Sequence, residues 1–174
     1  MEEYENILGI IRNMVHVMEQ SPKAFETMGE EGLRTHFLVQ LNAQYEGKAT
    51  GETFNFQGKT DILIRDEGRN VFITECKFWE GEKKFLETID QLLSYLSWRD
   101  SKAAIIIFNR NVNFSEVLKK IGETAPKHKH YKRTIGKLEE SSFRYVFHQP
   151  NDPNREIIVT VMAFDVPSAE HRSK

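Results

Sequence analysis

A chain of 174 residues is long enough for one domain with a substantial buried core, and too short for two domains of ordinary size. Its residues are 39% hydrophobic and 29% charged with a formal net charge of -2, so any binding of nucleic acid must use a local basic patch. The single cysteine, Cys76, excludes an internal disulfide and a cysteine-rich zinc site, which favours a reducing compartment.

The apolar runs and the N-terminus indicate a cytoplasmic protein that does not enter a membrane. The first residues, MEEYENILGI, are acidic where a signal peptide would be basic. The longest apolar run, Ala103 to Phe108, is far too short to cross a bilayer. We therefore expect no membrane partner.

The first predicted element is a helix over residues 3–20. Apolar side chains recur along it at helical spacing and form a broad stripe: Ile7, Ile11, Met14, Val15 and Met18, widened by Leu8, Ile10 and Val17. We interpret this stripe as packing on the domain core. The alternative is a helix that forms a homodimer or tethers the chain to another domain.

The helix predicted over residues 30–45 carries a carboxylate on its apolar face. That face is defined by apolar residues at four-residue steps: Leu33, Phe37 and Leu41. Glu30 shares the face and needs a partner there, because burying a lone carboxylate is costly. Glu30 is either a third acidic ligand of a site or the end of a capping box that starts at Thr27. Glu31, about 100° away around the helix, is the substitute ligand.

The remaining elements alternate between strands and helices. In order, they are predicted as strands 49–56, 59–65 and 71–78 of a β-meander, a helix over 83–98, a buried strand over 103–108, a helix over 114–122, and an antiparallel hairpin of residues 143–148 and 156–164. Gly47 is expected to cap the preceding helix, and turns are expected at Gln57-Gly58 and at residues 66–70. The strand, helix and strand from Val71 to Phe108 fit a βαβ unit.

Three charged residues of the meander are expected to converge. Asp61 begins the second predicted strand, and Glu75 and Lys77 lie one residue apart near the end of the third. Because strand side chains alternate in direction, Glu75 and Lys77 point to one face and Cys76 to the other. If the strands are neighbours, Asp61 meets that pair at one end of the sheet. Two carboxylates and an ammonium are the groups that a metal and water site for phosphodiester hydrolysis needs.

These residues resemble the PD-(D/E)xK nuclease superfamily, which has the restriction-endonuclease-like fold. The resemblance covers about Glu30 to Phe108, and it implies a mixed central sheet flanked by helices. It assigns metal-ligand roles to Asp61 and Glu75 and the catalytic lysine role to Lys77. Mg²⁺ is the implied cofactor, with Mn²⁺ as a substitute. Thr60 stands where the motif has proline, which is often absent in this superfamily.

The resemblance also extends to the neighbouring helices. The superfamily's frequent extra glutamate would fall on Glu30 or Glu31. Gln91-x-x-x-Tyr95 resembles the additional motif of RecB-like nucleases, with Gln91 supporting the site and Tyr95 touching the nucleic-acid backbone. These two residues are one helical turn apart and project together.

The segment from Lys127 to Arg133, KHKHYKR, is predicted as a short basic loop. Its Lys129, Lys132 and Arg133 are candidate contacts to a nucleic-acid backbone, with a solvated loop as the alternative. Lys59, beside Asp61, is a further candidate contact to a phosphate.

The prediction is thus one α/β domain over residues 1–174 that acts as a metal-dependent nuclease on DNA, or on RNA by the same chemistry. Within it we expect an N-terminal helix (1–20), a catalytic core (22–108), a C-terminal helix and hairpin (109–166) and a tail (167–174). The alternatives are an inactive nucleic-acid-binding module that kept the fold, and an effector domain of a larger protein.

Overall fold

The computed structural model describes residues 1–45, 48–55, 58–111 and 113–166, with the backbone alone at 50–55 and 58–59. The helices are α1 (Glu2–Gln20), α2 (Glu30–Gln44), α3 (Glu82–Tyr95) and α4 (Phe114–Thr124). The strands are β1 (Ala49–Asn55), β2 (Gly58–Asp66), β3 (Arg69–Phe78), β4 (Lys102–Asn109), β5 (Tyr131–Glu139), β6 (Ser142–Gln149) and β7 (Asp152–Asp165). Short 3₁₀ turns occupy Pro22–Ala24 and Ala125–Lys127.

The described strands form one mixed sheet in the order β1-β2-β3-β4-β7-β6-β5. The first three strands pair antiparallel, which confirms the predicted meander. β4 pairs parallel with β3 on one side and with β7 on the other. The helix α3 connects β3 to the neighbouring parallel strand β4, as a βαβ unit requires. β6 and β7 form the predicted antiparallel hairpin.

Helices cover both faces of the sheet. α1 and α2 pack on one face, in a cluster that includes Ile7 and Phe37, and α3 and α4 pack on the other with Ile89 and Ile121. The strand β4 lies between the two layers, so its side chains alternate between the clusters and all of them from Ala103 to Phe108 are buried. This explains why the strand is a continuous apolar run. The predicted α/β class with a mixed, helix-flanked sheet is confirmed.

Most of the stripe on α1 packs on the core, as the favoured interpretation required, but Val17 is 59% exposed. Ile7, Leu8, Ile11 and Val15 are fully buried. Tyr4 locks the helix to the sheet, because its hydroxyl lies 2.7 Å from the carbonyl oxygen of Ala103 and 2.8 Å from Oγ1 of Thr160.

Two predicted elements were wrong in extent. α3 ends at Tyr95 rather than near Trp98, because the backbone becomes extended at Leu96. The basic loop was wrong beyond residue 130, where β5 begins and takes in Lys132 and Arg133. β5 was not predicted because it is an edge strand that buries almost none of its side chains. Its sequence therefore lacks the alternation of apolar and polar residues that marks a half-buried strand.

Several predictions lie outside the described residues. They are the cap at Gly47, the strand end at Phe56, the turn residue Gln57 and the tail over 167–174. Across the part of the chain that is described, no helix is both long enough and apolar enough to cross a bilayer.

Candidate active site

The candidate site lies where β2 begins and β3 ends. The antiparallel register pairs Ile62 with Thr74 and Leu63 with Ile73, so the next residues outward are Asp61 and Glu75. Leu63 and Ile73 both belong to the core cluster under α3. The side chains of Asp61 and Glu75 therefore lie on the same face of neighbouring strands, as predicted from the sequence.

Asp61 is held through both of its oxygens. Oδ1 accepts a hydrogen bond from Nη1 of Arg34 at 2.9 Å, and Oδ2 accepts one from the backbone N–H of Cys76 at 2.8 Å. The ammonium of Lys77 lies 3.9 Å from Oδ2. The Arg34 and Asp61 side chains are 9% and 14% exposed, so this ion pair is largely withdrawn from water.

Glu75 is fully buried on β3. Its Oε2 accepts a hydrogen bond from Nε2 of Gln91 at 3.0 Å, and its Oε1 has no hydrogen-bond partner among the described residues. Burial raises the pKa of Glu75 to about 8; the negative charge of Asp61 adds to this rise and the positive charge of Lys77 opposes it. Without an added cation, Glu75 therefore holds a proton at neutral pH.

Lys77 connects the strands to α2. Its Nζ lies 3.3 Å from Oε1 of Glu30. Burial alone would lower the pKa of Lys77, but the charges of Asp61, Glu30 and Glu75 raise it above its ordinary value. Lys77 is therefore a fixed positive charge across the neutral pH range.

The side chain of Glu30 faces the site instead of capping its own helix. Its Oε2 accepts a hydrogen bond from the backbone N–H of Phe78 at 3.3 Å. The N-cap residue of α2 is Gly29 and not Thr27, and no side chain forms a capping hydrogen bond there. The alternative of a capping box that starts at Thr27 is therefore wrong. Glu31 is exposed to solvent. Of the two glutamates, only Glu30 contacts the cluster in the described structure.

The start of α2 is fixed from the sheet. Arg110, just beyond β4, donates hydrogen bonds to the carbonyl oxygens of Phe25 and Met28, and its guanidinium lies 4.6 Å from the ring centre of Phe78. These contacts tie the segment before Glu30 to the end of β3. They explain how a helix terminus can deliver a carboxylate to a strand end.

Three members of the cluster, Glu30, Lys77 and Gln91, line a pocket of about 340 Å³. The lining does not include Asp61 or Glu75, which lie behind these residues. An ion pair at the rim of the pocket joins Lys84 to Glu87 at 2.9 Å. A second pocket, of about 630 Å³, borders the starts of α3 and α4 and shares Glu80 with the first.

Metal-ion chemistry can be tested against these donors. Within the described ranges, no three His, Cys, Asp or Glu side chains are arranged as a metal centre. Asp61 and Glu75 remain as a pair of hard oxygen ligands, and one or two carboxylates are the usual protein share of a Mg²⁺ site. The buried Glu75 Oε1, which has no hydrogen-bond partner in the described structure, is the atom that such a cation would satisfy. The donor set fits Mg²⁺ through two carboxylates.

Three of the candidate nucleic-acid contacts pair with acids outside the cluster. Lys129 pairs with Asp90 at 3.0 Å, and Lys132 and Arg133 each lie 2.8 Å from Glu156. Tyr95 is half-buried in the last turn of α3. Lys59 lies on β2, and its side chain is outside the described residues.

Sequence reasoning missed Arg34. It follows Glu30 by one helical turn and lies on the same buried side as Leu33 and Phe37. A cation among the buried residues of a helix needs a partner, just as Glu30 does. That pattern was the available signal.

No family model, curated protein or solved structure matches the chain. The fold and the contacts define a class instead. The protein is an α/β domain whose mixed sheet carries a cluster of three acids, two cations and one amide where β2 begins and β3 ends.

Proposed function

We propose that the protein is a metal-dependent nuclease of the PD-(D/E)xK superfamily with a restriction-endonuclease-like core, acting on DNA. The observation that carries the proposal is the contact network of Asp61, Glu75 and Lys77 with Glu30 and Gln91. These residues are separate in the sequence, and each contributes a group that phosphodiester hydrolysis uses.

Asp61 and Glu75 would hold the divalent cation, Mg²⁺ or Mn²⁺. When bound, such an ion neutralises charge on a phosphate and makes a water molecule a stronger nucleophile. Gln91 orients Glu75 through its hydrogen bond to Oε2, which leaves Oε1 for the cation. Cys76 is buried and burial raises the pKa of its thiol, so it is not a competing nucleophile.

Lys77 acts as a positive charge and not as a base. Its raised pKa keeps the ammonium protonated, so it binds the scissile phosphate or orients the attacking water. Glu30 holds this ammonium at the mouth of the pocket through the 3.3 Å contact.

The test is cleavage of plasmid DNA, DNA oligonucleotides and RNA oligonucleotides with Mg²⁺, with Mn²⁺, or with a chelator. We expect metal-dependent cleavage that Lys77→Ala lowers by about 100-fold or more, since removing one preorganised charge-stabilising group costs that much in known enzymes. Lys84→Ala is the matched control, because Lys84 lines the same pocket but pairs only at its rim. Equal cleavage by the wild type and Lys77→Ala would contradict the proposal.

A second candidate function is an inactive nucleic-acid-binding module with the same fold. The observation that favours it is the internal neutralisation of the acids, since Arg34 and Lys77 already pair with Asp61 and Glu30. This candidate predicts binding of DNA in a gel-shift measurement without cleavage in Mg²⁺ or Mn²⁺. It also predicts that Lys77→Ala changes the binding of DNA little.

A further inference from the structure

Arg34 is a buried cation inside an acidic cluster. The residue is only 7% exposed, and its guanidinium contacts Oδ1 of Asp61 at 2.9 Å. It lies on α2 one turn after Glu30, so the same helix delivers a carboxylate and a guanidinium to the end of the sheet.

The two cations of the cluster differ in how they are held. Lys77 reaches the cluster on a flexible stem, is 30% exposed, and lies between Glu30 at 3.3 Å and Asp61 at 3.9 Å. The Arg34 side chain is 9% exposed and in direct contact with one oxygen of Asp61. A guanidinium keeps its charge at every accessible pH and is less strongly hydrated than an ammonium. Arg34 is therefore the fixed counter-ion of Asp61.

We propose that Arg34 competes electrostatically with the divalent cation for Asp61 and so weakens cation binding to the protein in the absence of nucleic acid. This proposal rests on the proposed function, because it takes Asp61 as a ligand. A unit positive charge a few ångströms from the site repels a divalent cation, and the low exposure of the pair limits screening by solvent.

The consequence is a link between cation and substrate. The positive charges of Arg34 and Lys77 balance the negative charges of Asp61 and Glu30. A phosphate that enters the pocket pairs with Lys77, which lines it, and adds negative charge near the cluster, which strengthens the attraction for Mg²⁺. Arg34 thus makes the site bind its metal best when the substrate is present.

The experiment is a calorimetric titration of the metal-free protein with Mn²⁺ at low salt, using the wild type, Arg34→Gln and Arg34→Lys. Arg34→Gln is expected to bind Mn²⁺ about ten-fold more tightly than the wild type, since it removes the competing charge. Arg34→Lys keeps that charge, so its affinity is expected within about three-fold of the wild type. Circular dichroism and thermal unfolding check that each variant is folded. If Arg34→Gln does not fold, Arg34→Met, of similar length, replaces it.

A second titration adds an oligonucleotide with non-hydrolysable linkages. The oligonucleotide should tighten Mn²⁺ binding more in the wild type than in Arg34→Gln, because the variant has already lost the repulsion. A folded Arg34→Gln that binds Mn²⁺ no more tightly than the wild type overturns the role of Arg34. If cleavage still depends on Lys77, the proposed nuclease function survives that result. If the wild type neither binds Mn²⁺ nor cleaves, both proposals fall.

Discussion

Two neighbouring residues of α3, Asp90 and Gln91, contact two regions of opposite charge. Gln91 donates a hydrogen bond to Glu75 in the acidic cluster. Asp90, about 100° around the helix, contacts the basic segment 127–133 through Lys129 at 3.0 Å and Nε2 of His128 at 3.3 Å. The acidic cluster and the basic segment therefore share one helix, and the state of their charges can be compared directly.

The acidic cluster keeps its charges away from water. The Asp61 and Arg34 side chains are 14% and 9% exposed, and Glu75 is fully buried with a raised pKa. The basic segment keeps most of its charges in water. Its Lys129 and Arg133 side chains are 65% and 55% exposed, and each pairs with a surface acid.

The comparison separates charges that are withdrawn from water from charges that are solvated. Exposed pairs contribute little to stability, because water screens them and long side chains lose freedom on pairing. Buried acids are costly to hold, so their presence points to a function that needs them. The cluster at the end of β3, and not the basic run in the sequence, is the part of the molecule that calls for a functional explanation.

The largest expected effect comes from breaking the buried ion pair. Asp61→Ala leaves Arg34 without this partner in a dry environment, which should lower the free energy of unfolding by about 3 kcal/mol. Glu156→Ala breaks contacts to Lys132 and Arg133 that face water, so we expect little change. Urea unfolding at pH 6, where Glu75 holds its proton, measures both. Equal losses in the two variants would refute the contrast.

The next effect is a pH dependence of stability that originates at Glu75. The pKa of Glu75 is about 8 in the folded protein and near 4.5 in an unfolded chain. The folded state therefore binds this proton more tightly, and the free energy of unfolding should fall as the pH rises from about 4.5 to 8. Glu75→Gln mimics the protonated form, so it should match the wild type near pH 5 and exceed its stability by about 2 kcal/mol or more at pH 9.

Glu156→Gln is the matched control for that prediction. Hydrogen bonds from Arg133 and Lys132 lower the pKa of Glu156 to about 2, so its pairing favours folding above about pH 4.5 and is lost as the pH falls towards 2, and screening by water keeps this contribution small. The two glutamates thus shift stability with opposite sign. A Glu75→Gln variant with no stability gain at pH 9, measured by urea unfolding across the pH range, would show that Glu75 is not held in its neutral form.

A smaller effect is expected from the two residues on α3. Gln91→Ala removes the hydrogen bond to Oε2 of Glu75 and should cost about 1–2 kcal/mol of stability, since it leaves a buried polar group without that partner. If Gln91 orients a metal ligand, the variant should also cleave DNA about ten-fold more slowly. Asp90→Ala should change cleavage little. Urea unfolding and single-turnover cleavage compare the two variants. If Gln91→Ala behaves like Asp90→Ala, Gln91 is not part of the site.

Much of the fold was predictable because its signals are local. The apolar stripe of α1 and the continuous apolar run of β4 each follow from the spacing of buried residues. Chain order then fixed the meander and the parallel pairing of β3 with β4. β5 gave no such signal, because the side chains of this edge strand are exposed or at most half-buried. Its place in the sheet depends on pairing with β6, which is a tertiary contact.

The site was predictable as far as strand alternation reached. Asp61 and Glu75 meet because of register, and Gln91 meets Glu75 because α3 crosses the same face of the sheet. The contact of Glu30 with the N–H of Phe78 depends on how α2 is docked, which no local pattern encodes. The pair between Arg34 on α2 and Asp61 on β2 depends on the same docking. The spacing along α2 indicates that Arg34 needs a partner, but which residue is that partner depends on how α2 is docked.

The smallest expected effect tests whether the basic segment touches DNA at all. Lys132 and Arg133 compete for Glu156 already, so a phosphate must replace an existing pair and gains only the difference. A double variant, Lys132→Ala with Arg133→Ala, should weaken binding of a DNA oligonucleotide by a few-fold and reduce the salt dependence of the binding constant by about one to two units of slope.

Glu156→Ala should act in the opposite direction, because it releases both cations and removes a negative charge beside them. We expect a few-fold tighter DNA binding at low salt, measured by fluorescence anisotropy, and no change in the cleavage step at saturating DNA. Lys48→Ala is the control, since Lys48 also pairs with a surface acid, Asp66, but precedes β1 at the other edge of the sheet. If the double variant, Glu156→Ala and Lys48→Ala all bind DNA like the wild type, the basic segment is a solvated surface.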